Sequence, residues 1–355
     1  MYPRTTEEVN QQVIDTDEVK CYKSPDYNYL FNKKSGGFLR WGTTEHHDPM
    51  FAPAPEIADI EISVNGCPNR CKFCYKGNTP DAPSNMSLET YKTILDLFPK
   101  SLTQVALGIT GTQTNPDFVK ILEYTRSKGI IPNFTLTGID LTDEMAEKTA
   151  KLVGAVAVSV QRENKDVCYN TVQKYNSLGL KQVNIHILAA NETEEFIYEV
   201  LKDIKTDNRL SGLNAIVFLG VKPKGRAKGQ FNPVAQNNFN NIINHCFDNG
   251  INFGCDSCSA PKCSISVDAS DQFSSKAKEA IQRNIEPCES DLFSCYVNVK
   301  GEFWHCSFAE NEPNVNTLSM LNVTDFVKDV WYSKPVEDFR MRLLTNNRHC
   351  PIHNI

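Results

Sequence analysis

Three cysteines within eight residues, Cys67-Pro-Asn-Arg-Cys71-Lys-Phe-Cys74, form the tightest group of metal-binding side chains in this chain of 355 residues. Their C-x3-C-x2-C spacing comes straight after the apolar run Ile57–Val64. A tetrahedral metal needs four ligands, and zinc sites usually pair two C-x2-C or C-x2-H halves. This loop offers three thiols. Three thiolates suit three irons of a cubane cluster and leave the fourth iron open to another ligand. A zinc knuckle or a set of reduced core thiols is the plainer alternative.

A second concentration lies near the C-terminus. Of the 13 cysteines, Cys255, Cys258, Cys263, Cys288, Cys295, Cys306 and Cys350 fall beyond residue 250, where even scatter would put about four. The segment from Cys288 to Cys306 reads as a strand, a Lys300-Gly301 turn and a returning strand. If that turn has two residues, Cys295 faces Cys306 across the hairpin. Cys258 lies in a loop beyond the strand-like Ile251–Gly254, and Cys350 in Arg-His-Cys-Pro. Cys21, Cys168 and Cys246 are isolated and read as ordinary thiols. Between the two groups, Lys222-Pro-Lys-Gly-Arg226-Ala-Lys228 gathers cations that suit a carboxylate or a phosphate, Arg226 first among them.

The elements around these residues alternate. Strands are expected at Ile57–Val64, Thr103–Ile109, Ile131–Thr137, Ala155–Val160, Val183–Leu188 and Ala215–Leu219. Helices are expected between them, at Leu88–Phe98, Pro116–Lys128, Asp143–Leu152, Lys165–Leu178 and Glu194–Ile204. Pro116 at a helix start, and Gly129 and Gly179 just past helix ends, are the usual punctuation. Six strand–helix repeats imply a parallel sheet curled into a partial barrel, with ligands at the C-terminal ends of its strands. Ser159, Gln161 and Arg162 end the fourth strand. His186, on the fifth, points to one face and is a candidate catalytic group.

Residues 1–55 are turn-rich and expected to be an irregular extension, at most a lid, with His46-His47 solvated. Residues 56–230 carry the barrel and 231–355 the cysteine-rich region. Apolar content of 40% and charged content of 23% are those of an ordinary globular protein. The polar N-terminal stretch does not read as a secretory signal, and the longest apolar run, Leu152–Val158, is too short to span a membrane. The expected setting is a reducing cytoplasm, where thiols serve as metal ligands more often than as disulfides. A net charge of −6 argues against an extended nucleic-acid surface.

The Cys67–Cys74 loop, with the aromatic Phe73 before its last cysteine, resembles the signature of the radical S-adenosylmethionine (SAM) enzymes. The resemblance implies a partial (β/α)6 barrel in an α/β fold, with a 4Fe-4S cluster whose open iron chelates the amino and carboxylate groups of SAM. It also implies cleavage of SAM to methionine and a 5′-deoxyadenosyl radical, with electrons from an external flavodoxin- or ferredoxin-type donor. The loop that should hold the SAM amino group is Gly108-Ile-Thr-Gly111-Thr112-Gln113-Thr-Asn-Pro. It keeps the family's glycines and Asn-Pro but lacks its glutamate, which leaves loop carbonyls, Thr112 or Gln113 as acceptors. Ser159, Gln161 and Arg162 correspond to the family's fourth-strand contacts with SAM.

The Cys288–Gly301–Cys306 hairpin, with gaps of twelve and four residues, is similar to that of the SPASM and twitch extensions. It implies a small C-terminal α+β region with one auxiliary 4Fe-4S cluster, held by Cys258, Cys288, Cys306 and Cys350. Cys255, Cys263 and Cys295 remain alternatives. The expected activity is radical hydrogen abstraction, oxidoreductase or mutase, from a peptide, a protein side chain or a small metabolite. Two other readings stand beside it. One is radical modification of a nucleoside or DNA base, and the other is a non-catalytic iron–sulfur or zinc protein.

Overall fold

The computed structural model describes residues 2–353. The chain opens with a short helix, α1 (Thr6–Asn10), closed by a capping box between Thr5 and Glu8. A four-stranded antiparallel meander follows: β1 (Val13–Asp15), β2 (Val19–Lys23), β3 (Asn28–Asn32) and β4 (Phe38–Trp41). The expected irregular extension is therefore corrected. Its strands are too short for their alternation to stand out, and several inward residues are polar. Lys20 is fully buried and donates to the Leu102 carbonyl at 2.7 Å, while the Tyr29 hydroxyl donates to that of Ser101 at 2.6 Å.

One large sheet makes up most of the rest. In chain order its strands are β5 (Ile57–Glu61), β8 (Gln104–Gly108), β9 (Ile131–Leu136), β10 (Ala155–Ser159), β11 (Gln182–Ala189), β12 (Ala215–Gly220), β13 (Phe253–Cys255), β14 (Ser294–Val297), β15 (Glu302–Trp304) and β16 (Leu318–Ser319). The two-residue strands β6 (Ser63–Val64) and β7 (Ser84–Asn85) pair with each other beside the cysteine loop. The spatial order is β13-β12-β11-β10-β9-β8-β5-β14-β15-β16, parallel from β13 through β14. Helices α2 (Leu88–Leu97), α3 (Phe118–Ser127), α4 (Asp143–Ala150), α5 (Lys165–Ser177), α6 (Glu194–Thr206) and α7 (Gln236–Asp248) connect the parallel strands. This is the expected partial barrel, with α7 and β13 adding a seventh unit beyond residue 230.

The C-terminal hairpin does not stand apart from it. β14 continues the barrel sheet by pairing with β5, Tyr296 in register with Asp59. Helices α8 (Ala260–Ala269), α9 (Ser275–Gln282) and α10 (Lys334–Thr345) complete that end.

The barrel strands bury one face and leave the other lined by small or polar groups. Ala58, Ile60, Val105, Leu107, Val156, Val158, Ile185 and Phe218 pack outward into the core. Phe218 is fully buried, with ring centroids of Phe239 and Phe253 at 6.1 and 6.2 Å. Phe218→Ala is expected to cost about 3–5 kcal/mol, read as a lower urea midpoint at unchanged slope. Asp59, Ala106, Gly108, Thr135, Ser159 and His186 alternate with that core and point inward.

The two barrel mouths differ. The meander touches Ser101 and Leu102 before β8 and, through the Ser35 carbonyl, Gln182 at the start of β11. It thus covers the mouth formed by the strands' N-terminal ends, opposite the cysteine loop, and is no lid over that loop. No helix among the described residues is long and apolar enough to cross a membrane.

Candidate metal centres

The Cys67–Cys74 loop leaves the barrel at the C-terminal end of β5 and is shaped by backbone contacts. Gly66 N donates to the Asp81 carbonyl at 2.7 Å and Cys67 N to that of Thr79 at 3.0 Å, with Asn65 and Gly66 both at positive φ. Phe73 packs edge-on against Phe231, beside Leu188, Ala190 and Val221 at the ends of β11 and β12. The loop is thereby pinned across the barrel mouth.

The three thiols are mutual electrostatic neighbours. Burial pushes the Cys71 thiol up to about 11, and the Gln161 amide, whose Nε2 donates to Cys71 Sγ at 3.0 Å, works against that rise. An N–H donor to a cluster thiolate sulfur is one of the levers that set a cluster's potential. Gln161 therefore serves the cysteine loop. Its neighbour Arg162 turns outward to an ion pair with Glu199 at 2.7 Å, away from the thiols. The Ser159 hydroxyl keeps to the inner face of β10.

Arg226 is committed to the same loop. Its Nε donates to the Cys71 carbonyl at 2.9 Å, its Nη1 to that of Asn78 at 2.8 Å and its backbone N to that of Cys74 at 3.0 Å. One buried nitrogen, Nη2, has no partner. The preceding Gly225 sits at φ +56°, where an added Cβ would stand 2.4 Å from the carbonyl oxygens of Cys74 and Tyr75. Only glycine allows so close an approach there.

The glycine-rich loop after β8 meets a residue that sequence reading missed. Asp140, in the loop after β9, accepts the Gln113 backbone N–H at 3.0 Å on Oδ2. An added Cβ on Gly111 would lie 2.6 Å from that oxygen, and Thr112, fully buried, donates to the Asp140 carbonyl at 3.2 Å. Asp140 is also an electrostatic neighbour of Cys67. It brings a carboxylate to a loop that lacks one of its own. The Gln113 side chain is exposed.

At the C-terminal end Cys258, Cys288, Cys306 and Cys350 come together. Cys258 is an electrostatic neighbour of Cys288 and Cys306, and both of these are neighbours of Cys350. The other thiols lie apart. Cys255 pairs with Cys263 by a hydrogen bond. Cys295 does not face Cys306. Val297 pairs with Phe303 and Tyr296 with Trp304, so His305 is opposite Cys295. The turn has three residues rather than two, with Gly301 at φ +77°.

The strap Lys222–Arg226 spans both cysteine groups. Lys222 pairs with Asp256 and neighbours Cys258 and Cys306. Lys224 reaches the Phe308 carbonyl at 3.1 Å and Glu312 at 3.3 Å, and Arg226 holds the first loop. Lys76, just past Cys74, bridges Glu61 at 2.9 Å and Glu310. His186 lies near Asp256 and Lys222, and burial lowers its pKa to about 4. Its ring is therefore neutral near pH 7 and unsuited to act as a general acid there.

Residues 62–176 match the radical SAM superfamily model. They form a radical SAM domain. That span carries the cysteine loop, the glycine-rich loop, Asp140 and Gln161. The fold is also that of Streptococcus suis SuiB bound to its precursor peptide SuiA, at 12% identity and a TM-score of 0.67, covering 92% of this chain and 90% of that one. It likewise matches anSMEcpe with bound AdoMet and the Cp18Cys peptide, at 14% identity and a TM-score of 0.59, over 80% and 82% of the two chains. No curated protein sequence matches the chain.

The donor sets beside the radical SAM domain's barrel mouth fit iron–sulfur clusters. A structural zinc site takes four ligands, and the Cys67–Cys74 loop offers three thiols. A cubane places its own irons and sulfides between the thiolates and so needs a wider frame. The three-thiol loop and the four-thiol group bring neighbouring cysteines together as all-cysteine donor sets, the ligand type of iron–sulfur clusters.

Proposed function

We propose that this chain is a SAM-cleaving radical enzyme acting on a peptide or protein side chain. In this reading Cys67, Cys71 and Cys74 hold a 4Fe-4S cluster, and Cys258, Cys288, Cys306 and Cys350 hold one auxiliary cluster. The observation that carries it is the pairing of two thiol groups, one of three and one of four, joined by one strap at the open mouth of a radical SAM barrel. When bound, the first cluster supplies one electron to the sulfonium of SAM, giving methionine and a 5′-deoxyadenosyl radical that takes a hydrogen atom from substrate.

The chain's own residues position and shield that chemistry. Asp140 offers the SAM ammonium the acceptor that the glycine-rich loop lacks, with Gly111 making room for it. Ser159 offers a hydroxyl to the bound nucleoside. Gln161 donates to Cys71, and Arg226 holds the loop's carbonyls, so the thiols keep their geometry as substrate comes and goes. The meander covers the far mouth and limits water, which would quench a radical. An external flavodoxin- or ferredoxin-type protein is the proposed electron source.

A peptide substrate is favoured by analogy with SuiB and anSMEcpe, both of which were crystallised with peptides. The nucleoside alternative drew on the cations of 222–228 as its phosphate groove. Lys222, Lys224 and Arg226 are all engaged within the protein, which leaves little of that groove.

The deciding experiment is anaerobic reconstitution with iron and sulfide, followed by dithionite and SAM. Methionine and 5′-deoxyadenosine are expected in equal amounts, measured by chromatography. Loading with iron but no 5′-deoxyadenosine would leave the non-catalytic cluster protein as the better account.

A further inference from the structure

Most charged groups lining the barrel interior are neutralised within the protein. Glu61 is paired with Lys76, Asp256 with Lys222 and Glu310 again with Lys76. Asp59 is different. It sits in the middle of β5, flanked in register by Ala106 on β8 and Tyr296 on β14, and carries no hydrogen bond or ion pair among the described residues. Its side chain keeps accessible surface although protein surrounds it. That surface therefore belongs to the barrel interior, because the sheet closes both flanks and the meander covers the far mouth.

The groups around Asp59 offer it no compensation. Ala106 is small and Tyr296 gives its hydroxyl to Glu310 at 3.2 Å. Tyr75, an electrostatic neighbour, is bonded to Ser307. His186, further round the interior, is neutral. Burial alone raises the Asp59 carboxyl to about 6. A carboxylate that faces the barrel interior, keeps accessible surface and holds no partner of its own is open to a charge-assisted hydrogen bond from a ligand that enters.

We infer that Asp59 is the anchor for a cationic group of the substrate, a primary ammonium or a guanidinium, which enters the barrel and pairs with the carboxylate. This rests on the proposed radical reading and narrows its substrate class to molecules carrying such a cation. The anchor lies on the inner wall of the strand that leads into the Cys67–Cys74 loop. A side chain reaching down to Asp59 would thus present its upper carbons toward the mouth where SAM is to be held. Asp59 fixes the substrate and does not itself take part in hydrogen abstraction.

The test is calorimetric titration of the reconstituted, SAM-loaded protein with three probes. They are N-acetyl-lysine methylamide, its neutral isostere N-acetyl-norleucine methylamide, and butylammonium. The lysine probe is expected to bind about tenfold or more tighter than the norleucine probe, as a charge-assisted hydrogen bond would give. In Asp59→Asn that preference should shrink to near one, and in Asp59→Glu it should return, with iron content verifying that each variant is folded. Butylammonium separates sources: binding as tight as the lysine probe points to a small amine, weaker binding to a peptide side chain. Equal binding of the lysine and norleucine probes in the wild type, or a preference that survives in Asp59→Asn, overturns the assignment. Wild-type 5′-deoxyadenosine formation is measured on the same preparation, so failure of the cation anchor is distinguishable from failure of the radical reading.

Discussion

Cys71→Ala is expected to lower 5′-deoxyadenosine formation by more than about a thousandfold, the scale of deleting a group on which the whole reaction depends. It should also reduce the iron of the reconstituted protein from about eight to about four per chain. Of the three loop thiols Cys71 is the most informative to remove, because its sulfur alone receives the Gln161 amide. Its carbonyl, which Arg226 holds, survives the substitution. The contacts from Gly66 to Asp81 and from Cys67 to Thr79 are also backbone-only and should persist. The loop therefore keeps its path while losing one ligand. Iron analysis and chromatography on one preparation give both numbers. Activity within about tenfold of wild type would mean that electrons reach SAM from elsewhere, and the assignment of the loop would fail.

How much of this was legible in the sequence depends on what each residue's neighbours are. The barrel strands were legible because their outward faces are apolar, with mostly branched and aromatic side chains. Ala155–Ser159 and Ala215–Gly220 differ from the expected strands by one residue at a single end. The Cys67–Cys74 loop was legible because its chemistry is local. The meander was not: Lys20 and Asn28 are buried in it, and a buried lysine satisfied by a distant carbonyl looks like a solvated one.

Asp140 left no local signal either. It is about thirty residues from the glycine-rich loop that it serves, and only the βα repeat brings the two together. The cation-rich run after the sixth strand drew attention to Arg226 as a ligand contact, whereas its guanidinium donates to the Cys71 and Asn78 carbonyls, which serve it as readily as a carboxylate. Cys295 shows the sharpest limit. Its role turned on whether the hairpin turn has two residues or three, and in a strand one residue moves a side chain to the other face.

That register gives the second large effect. Cys306→Ala is expected to remove about four of about eight irons, while Cys295→Ala keeps them all. The two cysteines belong to the same hairpin, so sequence proximity alone would not separate them. Cys306 follows β15 and neighbours Cys258, Cys288, Cys350 and the Lys222 ammonium, whereas Cys295 lies opposite His305 and beside the Asp59 and Asp291 carboxylates. Cys295 is also fully enclosed, so Cys295→Ala removes little more than a sulfur's packing, about 1 kcal/mol. In Cys306→Ala the surviving cluster should still show an electron paramagnetic resonance signal that changes when SAM is added, because the Cys67–Cys74 loop is held by Arg226 and the Asp81 and Thr79 carbonyls rather than by the hairpin. If Cys295→Ala loses the irons and Cys306→Ala does not, the auxiliary ligands have been assigned to the wrong face of the hairpin. If neither variant loses iron, the four-thiol group is not a cluster site. A physical reason stands against both outcomes: four half-buried neighbouring thiols repel one another as thiolates, and a bound cluster compensates that negative charge.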